Sequence, residues 1–207
     1  MNPTEQITAG FLRIATLLRG DLWAAGEALG ITETQARILG LLLTRSGLRV
    51  TALAELLGVR QPTASDAVAT LERRGLLEKV RDPQDGRAFI VRLTGEGRAA
   101  AEQLRGVPAA LEEALEELDE VERAALLRTL TGVIRRLQLT GAIPVQRLCV
   151  TCRHFRPNVH GDAQAPHHCD FVNAAFGDAQ LRLDCGDHDP AGEPEAAAAW
   201  QRLSMVT

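Results

Sequence analysis

Cysteine and histidine are absent from the first 148 residues of this 207-residue chain; all four cysteines and five histidines lie between Cys149 and His188. Two residue types with shared metal-binding chemistry are therefore confined to one stretch. The chain divides into a long part built without them and a short part built around them. In a reducing compartment such clustering points to metal chemistry before disulfides. The long part is rich in Ala, Leu, Glu and Arg, and aromatics are only 3% of the chain, with no Tyr. Its core must be aliphatic, and its backbone favours helices over strands.

Helical periodicity runs through most of the long part. Ile7, Phe11, Ile14, Leu18 and Leu22 form a helix stripe within residues 4–29, and Gly30 stops it. Thr32 and Gln35 have the spacing of a capping box ahead of a second helix through Leu43. Thr51 can cap a third helix, Ala52 to Leu57, ended by Gly58. Arg60-Gln61-Pro62 opens a fourth, with Pro62 suited to its first position, and Gly75 breaks it after Arg74. Two helices joined by a turn at Gly58-Val59 make a helix-turn-helix.

After Gly75 the period shortens. Asp82-Pro83-Gln84-Asp85-Gly86 is a turn cluster, and Phe89, Val91 and Leu93 alternate as in a half-buried strand, so a hairpin, or wing, is expected here. A helix from Thr94 is interrupted by Gly106 and Pro108, then resumes from Ala109 to Leu139. Gly141 to Pro144 ends it and reads as a linker. The acidic run Glu112 to Glu122 reads as a solvated helix face.

A helix entering the major groove presents polar side chains near its N-terminus. Thr51 from the preceding helix, with Arg60, Gln61, Thr63 and Ser65, supplies them here, and Asp66 lies beside them. Arg and Gln can contact guanine and adenine in bidentate fashion. Arg73 and Arg74 are placed to grip phosphates, and the wing tip adds Arg87, flanked by Lys79, Arg81 and Arg92. A wing arginine can enter the minor groove. The net charge of −4 argues weakly against nucleic-acid binding as a sum, but local distribution decides. Asp66, Glu72, Glu78, Asp82 and Asp85 offset much of the basic charge. Affinity therefore has to come from placed contacts, doubled by a dimer.

Leu71-Glu72-Arg73-Arg74-Gly75-Leu76-Leu77, then Asp82-Pro83-Gln84-Asp85-Gly86-Arg87 and Val91-Arg92-Leu93-Thr94, resembles the signature of the MarR family of bacterial transcriptional regulators. The resemblance covers roughly residues 5–140. It implies a homodimer in which the first and last two helices interlock, with one winged helix per DNA half-site. It also implies that Asp85 orients the wing Arg87. The family often has Arg-Arg after that aspartate, where this chain has Gly86-Arg87, so one wing arginine is absent.

Beyond Pro144 come Cys149-x-x-Cys152, Cys169 and Cys185. A C-x-x-C pair brings two thiolates to one metal centre on a tight turn. Structural zinc sites usually join two close-spaced pairs, whereas Cys169 and Cys185 stand alone. This favours a four-iron four-sulfur cluster, with zinc as runner-up and disulfides or free thiols as the remaining readings. The pattern, with Phe155 after Cys152, is loosely similar to high-potential iron–sulfur proteins, over about 40 residues. Phe155, Phe171 and Phe176 offer an apolar shell for either metal module. His167, His168 and His188, neighbours of Cys169 and Cys185, are candidate replacement ligands. Gly186 leaves backbone free to approach the Cys185 sulfur.

The fold expected is mainly α: a winged helix-turn-helix with a helical dimerisation region in residues 1–141, its DNA-reading element in 51–92. A small Cys-rich metal-binding module follows in 142–190, and then a C-terminal helix in 191–207 that carries Trp200 and packs onto the dimer. No secretory signal, membrane-length apolar run, nucleophile motif or coenzyme fingerprint is visible, so a cytoplasmic non-enzyme is expected. Its partners would be double-stranded DNA and a second copy, with no membrane. The leading expectation is a regulator, a repressor in form, whose cysteine site senses redox state or metal. The alternatives are structural zinc with a small-molecule effector, or an electron-transfer or enzymatic module carried on a winged-helix assembly domain.

Overall fold

Capping chemistry sets the helix starts. The computed structural model describes residues 2–83, 85–104 and 108–205. Asn2 and Glu5 cap α1 (Pro3–Ala28) reciprocally, and Thr32 and Gln35 do the same for α2 (Glu33–Leu43), as the spacing of the second pair predicts. The next helix differs from expectation. α3 (Val50–Leu57) has Arg49 at its N-cap, so Thr51 lies inside the first turn and caps nothing. Leu48 is drawn into a β-bridge with Val91, which carries Val50 past the extended region and into the helix.

α4 (Gln61–Arg73) begins one residue before Pro62, which takes the second position. That position still suits proline, because the first-turn N–H groups have no intrahelical partner. Gly58 and Gly75 follow α3 and α4 at φ of 67° and 73°, left-handed values that glycine adopts without strain. β1 (Leu77–Arg81) and β2 (Phe89–Leu93) pair antiparallel, with Leu77 opposite Leu93 and Arg81 opposite Phe89. Thr94 caps α5 (Gly95–Leu104): its Oγ1 accepts from the Gly97 N–H at 3.0 Å and donates to the Gly75 carbonyl at 2.6 Å. The break expected at Gly106 lies outside the described residues.

The stretch expected to run from Ala109 to Leu139 is two helices, α6 (Ala109–Glu116) and α7 (Glu120–Leu139). Asp119 and Glu122 form a capping box that restarts the chain as α7. Two residues of the acidic run thus build a helix start as well as facing solvent.

The chain divides into two compact units, Met1–Ala114 and Leu115–Thr207. In the first, Ile38, Leu39 and Leu42 of α2 pack with Leu53, Val68, Leu71, Leu77 and Val91. The second joins α7 to the cysteine-rich segment, although the sequence reading places α7 in the segment ending at 141. Leu127 and Ile134 of α7 pack on a core of Leu148, Val150, Phe155, Leu181, Ala199 and Leu203. Around that core are the 3₁₀ turn Cys149–Thr151, a small antiparallel sheet of β3 (Phe155–Arg156), β4 (His167–Cys169) and β5 (Ala174–Phe176), and the 3₁₀ turn Asp178–Gln180. α8 (Glu193–Ser204) closes the unit, with Trp200 over Gly132 of α7: a Cβ there would lie 2.8 Å from the indole. No helix among the described residues is long and apolar enough to cross a membrane.

Candidate functional site

α4 owes its orientation to four small or branched residues. Ala64, Ala67, Val68 and Leu71 recur on one face and are buried against α2 and α3. The opposite face is left to solvent. Gln61 and Thr63 are exposed there, Ser65 is half-buried, and Arg60 stands exposed at the N-cap. Thr51 is exposed on the first turn of α3. These side chains lie where a helix-turn-helix presents its recognition surface.

The basic residues divide into two sets. Arg74 donates to the carbonyls of Gly30 and Leu29, both at 2.7 Å, and so ties the end of α4 to the end of α1. Its guanidinium, which the sequence reading has gripping phosphate, is thus engaged with backbone. Arg73 bonds Thr70 Oγ1 at 3.0 Å. Lys79 pairs with Glu72 and Arg92 with Glu78, both at 2.7 Å. Arg81 donates to the Gly86 carbonyl, and its guanidinium lies 5.5 Å from the centre of the Phe89 ring. Arg60 and Arg87 have no ion pair among the described residues and point into solvent.

Arg49 is the residue that sequence reading missed. It bonds Asp82 through Nε at 2.9 Å and Nη2 at 2.7 Å, and its Nη2 lies 3.2 Å from Asp85 Oδ2. Asp82 beside it raises the affinity of that guanidinium for its proton. Asp85 Oδ1 accepts from the Arg87 backbone N–H at 3.2 Å. Asp85 therefore holds the backbone of the wing tip, and the Arg87 side chain extends from it.

The four cysteines are free and half-buried, and together they line one cavity of about 470 Å³. Cys149 and Cys152 sit on the 3₁₀ turn, closed by the Cys152 N–H to the Cys149 carbonyl at 2.9 Å. Cys169 ends β4 opposite Phe155, and the Cys185 N–H donates to the Arg147 carbonyl at 2.9 Å. Phe155, Phe171, Val172 and Phe176 supply apolar lining. Burial pushes the Cys149 thiol up to about 11, partly offset by the Arg182 N–H donated to its sulfur at 3.3 Å.

None of the three histidines expected as alternative ligands lines this cavity. His167 is fully buried and engaged at both ring nitrogens: the Asn158 N–H donates to Nδ1 at 3.2 Å, so Nε2 carries the proton to Asp178 at 2.8 Å. His168 meets His160 at 3.2 Å, and His188 meets Thr151 Oγ1 at 3.0 Å. The histidine on the cavity wall is His154, packed on Phe171. Among the described residues no three or more His, Cys, Asp or Glu side chains gather tightly enough to hold a single metal ion.

A helix-turn-helix followed by a two-stranded wing defines the first unit as a winged helix. The MarR family model matches residues 29–88, which span that element from the end of α1 to the wing. The transcriptional regulator AdcR of Streptococcus pneumoniae is 36% identical over 73 residues, 35% of this chain and 49% of AdcR. The chain thus spans about half the length of that curated relative. The S. aureus MepR–DNA complex is similar in structure at 27% identity and a TM-score of 0.51, covering 64% of this chain and 98% of that one. A MepR mutant from a multidrug-resistant S. aureus clinical isolate, also 27% identical, gives 0.55 over 64% and 97%. Residues 29–88 thus resemble the MarR winged helix in sequence, and the fold resembles that of MepR.

Proposed function

We propose that this protein is a homodimeric, DNA-binding transcriptional regulator of the MarR type, a repressor in form, whose four-cysteine cavity holds an iron–sulfur cluster that senses redox state. The DNA half of this reading rests on the polar outer face of α4 beside an arginine-tipped wing. It is supported by the likeness to MepR, which is known in complex with DNA, and to the regulator AdcR. The dimer half rests on uncovered apolar surface. On α1, Ile7, Phe11, Ile14 and Leu18 are exposed, Ile7 by 60%, as a stripe that a second copy would bury.

The cluster reading rests on four cysteines around one apolar cavity. All four cysteines line one cavity of about 470 Å³ whose remaining wall is largely apolar, a donor set and enclosure of the kind a thiolate-held cluster needs. Cys149, Cys152, Cys169 and Cys185 would be its ligands; the cluster, when bound, supplies reversible one-electron chemistry. Phe155 and Phe176 would exclude water from it. Loss or oxidation at this site would act by shifting the population of DNA-competent dimers.

Iron, acid-labile sulfide and a visible spectrum of anaerobically purified protein test the cluster. Absorbance near 400 nm that vanishes in Cys169→Ala is expected. A colourless protein releasing one zinc per chain would replace it with the structural-zinc reading. A gel shift on the DNA upstream of its own coding region tests the regulator, and no shift with either cluster-loaded or cluster-free protein rejects it.

A further inference from the structure

Arg182 touches two of the four sulfurs. Its backbone N–H donates to Cys149 Sγ at 3.3 Å, and its guanidinium Nη1 reaches Cys185 Sγ at 3.7 Å. Its position is over-determined by its surroundings. The Cys149 N–H donates back to the Arg182 carbonyl at 3.0 Å, so the two residues are joined by one bond to sulfur and one bond between backbones. On either side Leu181 is buried in the core and Leu183 packs against it. The backbone at 182 is thus pinned from three directions, while the side chain lies along the cavity wall with solvent behind it.

Hydrogen bonds to sulfur and nearby positive charge stabilise the more negative, reduced form of an iron–sulfur centre, so they raise its reduction potential. Arg182 supplies both effects from a single residue. Asp187 lines the same wall and carries the opposing charge.

We propose that Arg182 tunes the redox response of the four-cysteine site, making a bound cluster easier to reduce by donating to the sulfurs of Cys149 and Cys185. This rests on the cluster reading of the cavity. The step is the uptake of one electron from an external reductant, and no bond forms or breaks.

The test is a potentiometric titration of the full chain, purified anaerobically, with dithionite as electron donor and visible absorbance as readout. Wild type, Arg182→Gln and Arg182→Lys are compared. The midpoint of R182Q should move to more negative potential, and R182K, which keeps the charge but loses the planar fork, should fall between. The midpoint does not depend on occupancy, so a partly loaded variant still reports it. If R182Q assembles no cluster, the R182K shift decides in the same way. Equal midpoints across loaded variants overturn the assignment. So does complete cluster loss from both variants with unaltered far-UV circular dichroism, because arginine would then build the site and not tune it. Wild type without iron and labile sulfide overturns the cluster reading itself, and this inference with it.

Discussion

Arg49 and Asp82 stand 33 positions apart in the chain, yet Arg49 Nη2 lies 2.7 Å from Asp82 Oδ2. The residue at the N-cap position of α3 thereby holds the start of the wing loop just past β1, and through Asp85 it reaches the turn that carries Arg87. The wing is aimed from the helix-turn-helix side as well as by its own hairpin.

Removing this clamp should affect binding more than folding. The Arg49 side chain is 45% exposed but the Asp82 side chain only 11%, so losing the pair should lower stability modestly, well short of unfolding. Arg49→Ala should therefore stay folded and weaken operator binding roughly three- to tenfold, the scale of one misplaced interface contact. Fluorescence anisotropy at fixed salt measures it. Unchanged affinity would mean that the wing needs no aiming.

Two arginines that look alike in the sequence should behave differently. Arg87→Ala should lower the slope of log affinity against log salt by about 1, as the loss of one phosphate-region contact does. Arg74→Ala should leave that slope alone. It should instead cost about 1 kcal/mol in urea unfolding, because Arg74 caps the carbonyls of Leu29 and Gly30. A reduced salt slope in the Arg74 variant would return that residue to the DNA face.

Gly97 is buried where α5 meets the chain leaving α4, and a Cβ there would lie 1.8 Å from the Leu76 carbonyl oxygen. Gly97→Ala should cost about 2–4 kcal/mol, because backbone must shift on both sides of the contact. Chemical denaturation decides. A cost within 0.5 kcal/mol, the scatter of ordinary surface changes, would show that the two segments can part freely.

The pH response of the second unit should run through Asp178. The buried His167 and then Arg128 hold its carboxyl below the ordinary range. A depressed carboxylate stabilises the fold at pH values above its ordinary pKa, and that contribution is lost as pH falls through the lowered value. Asp178→Asn should destabilise the protein at pH 7 by about 1–3 kcal/mol and flatten the acid limb of its stability curve. An acid limb as steep as wild type would assign the loss to other carboxylates.

Much of the first unit is legible in the chain because its signals are local. Thr32 and Gln35, Gly58, Pro62 and Gly75 act within a turn or two of themselves, and the structure uses each close to the expected place. Local signals fail where a distant partner competes. Thr51 looks like a cap until Leu48 pairs with Val91, and nothing near Arg74 in the chain shows that it bonds the carbonyls of Leu29 and Gly30. Gly97 and Arg49 carry no local signal, since each matters only through a residue that the fold brings near.

The sequence alone determined one matter: every cysteine and histidine side chain of this protein lies in residues 149–188. Sequence could also number four cysteines and name their neighbours. Only the tertiary structure decided that all four line one cavity, that His154 and not His167, His168 or His188 shares its wall, and that Arg182 bridges two sulfurs. The reason is geometric. Successive residues on a strand point to opposite faces, so adjacency to Cys169 directs His168 away from the site, while His167 is taken into the core by Asp178. Arg182, three residues before Cys185, reaches the Cys149 sulfur from 33 positions away, because its leucine neighbours Leu181 and Leu183 pack in the core there.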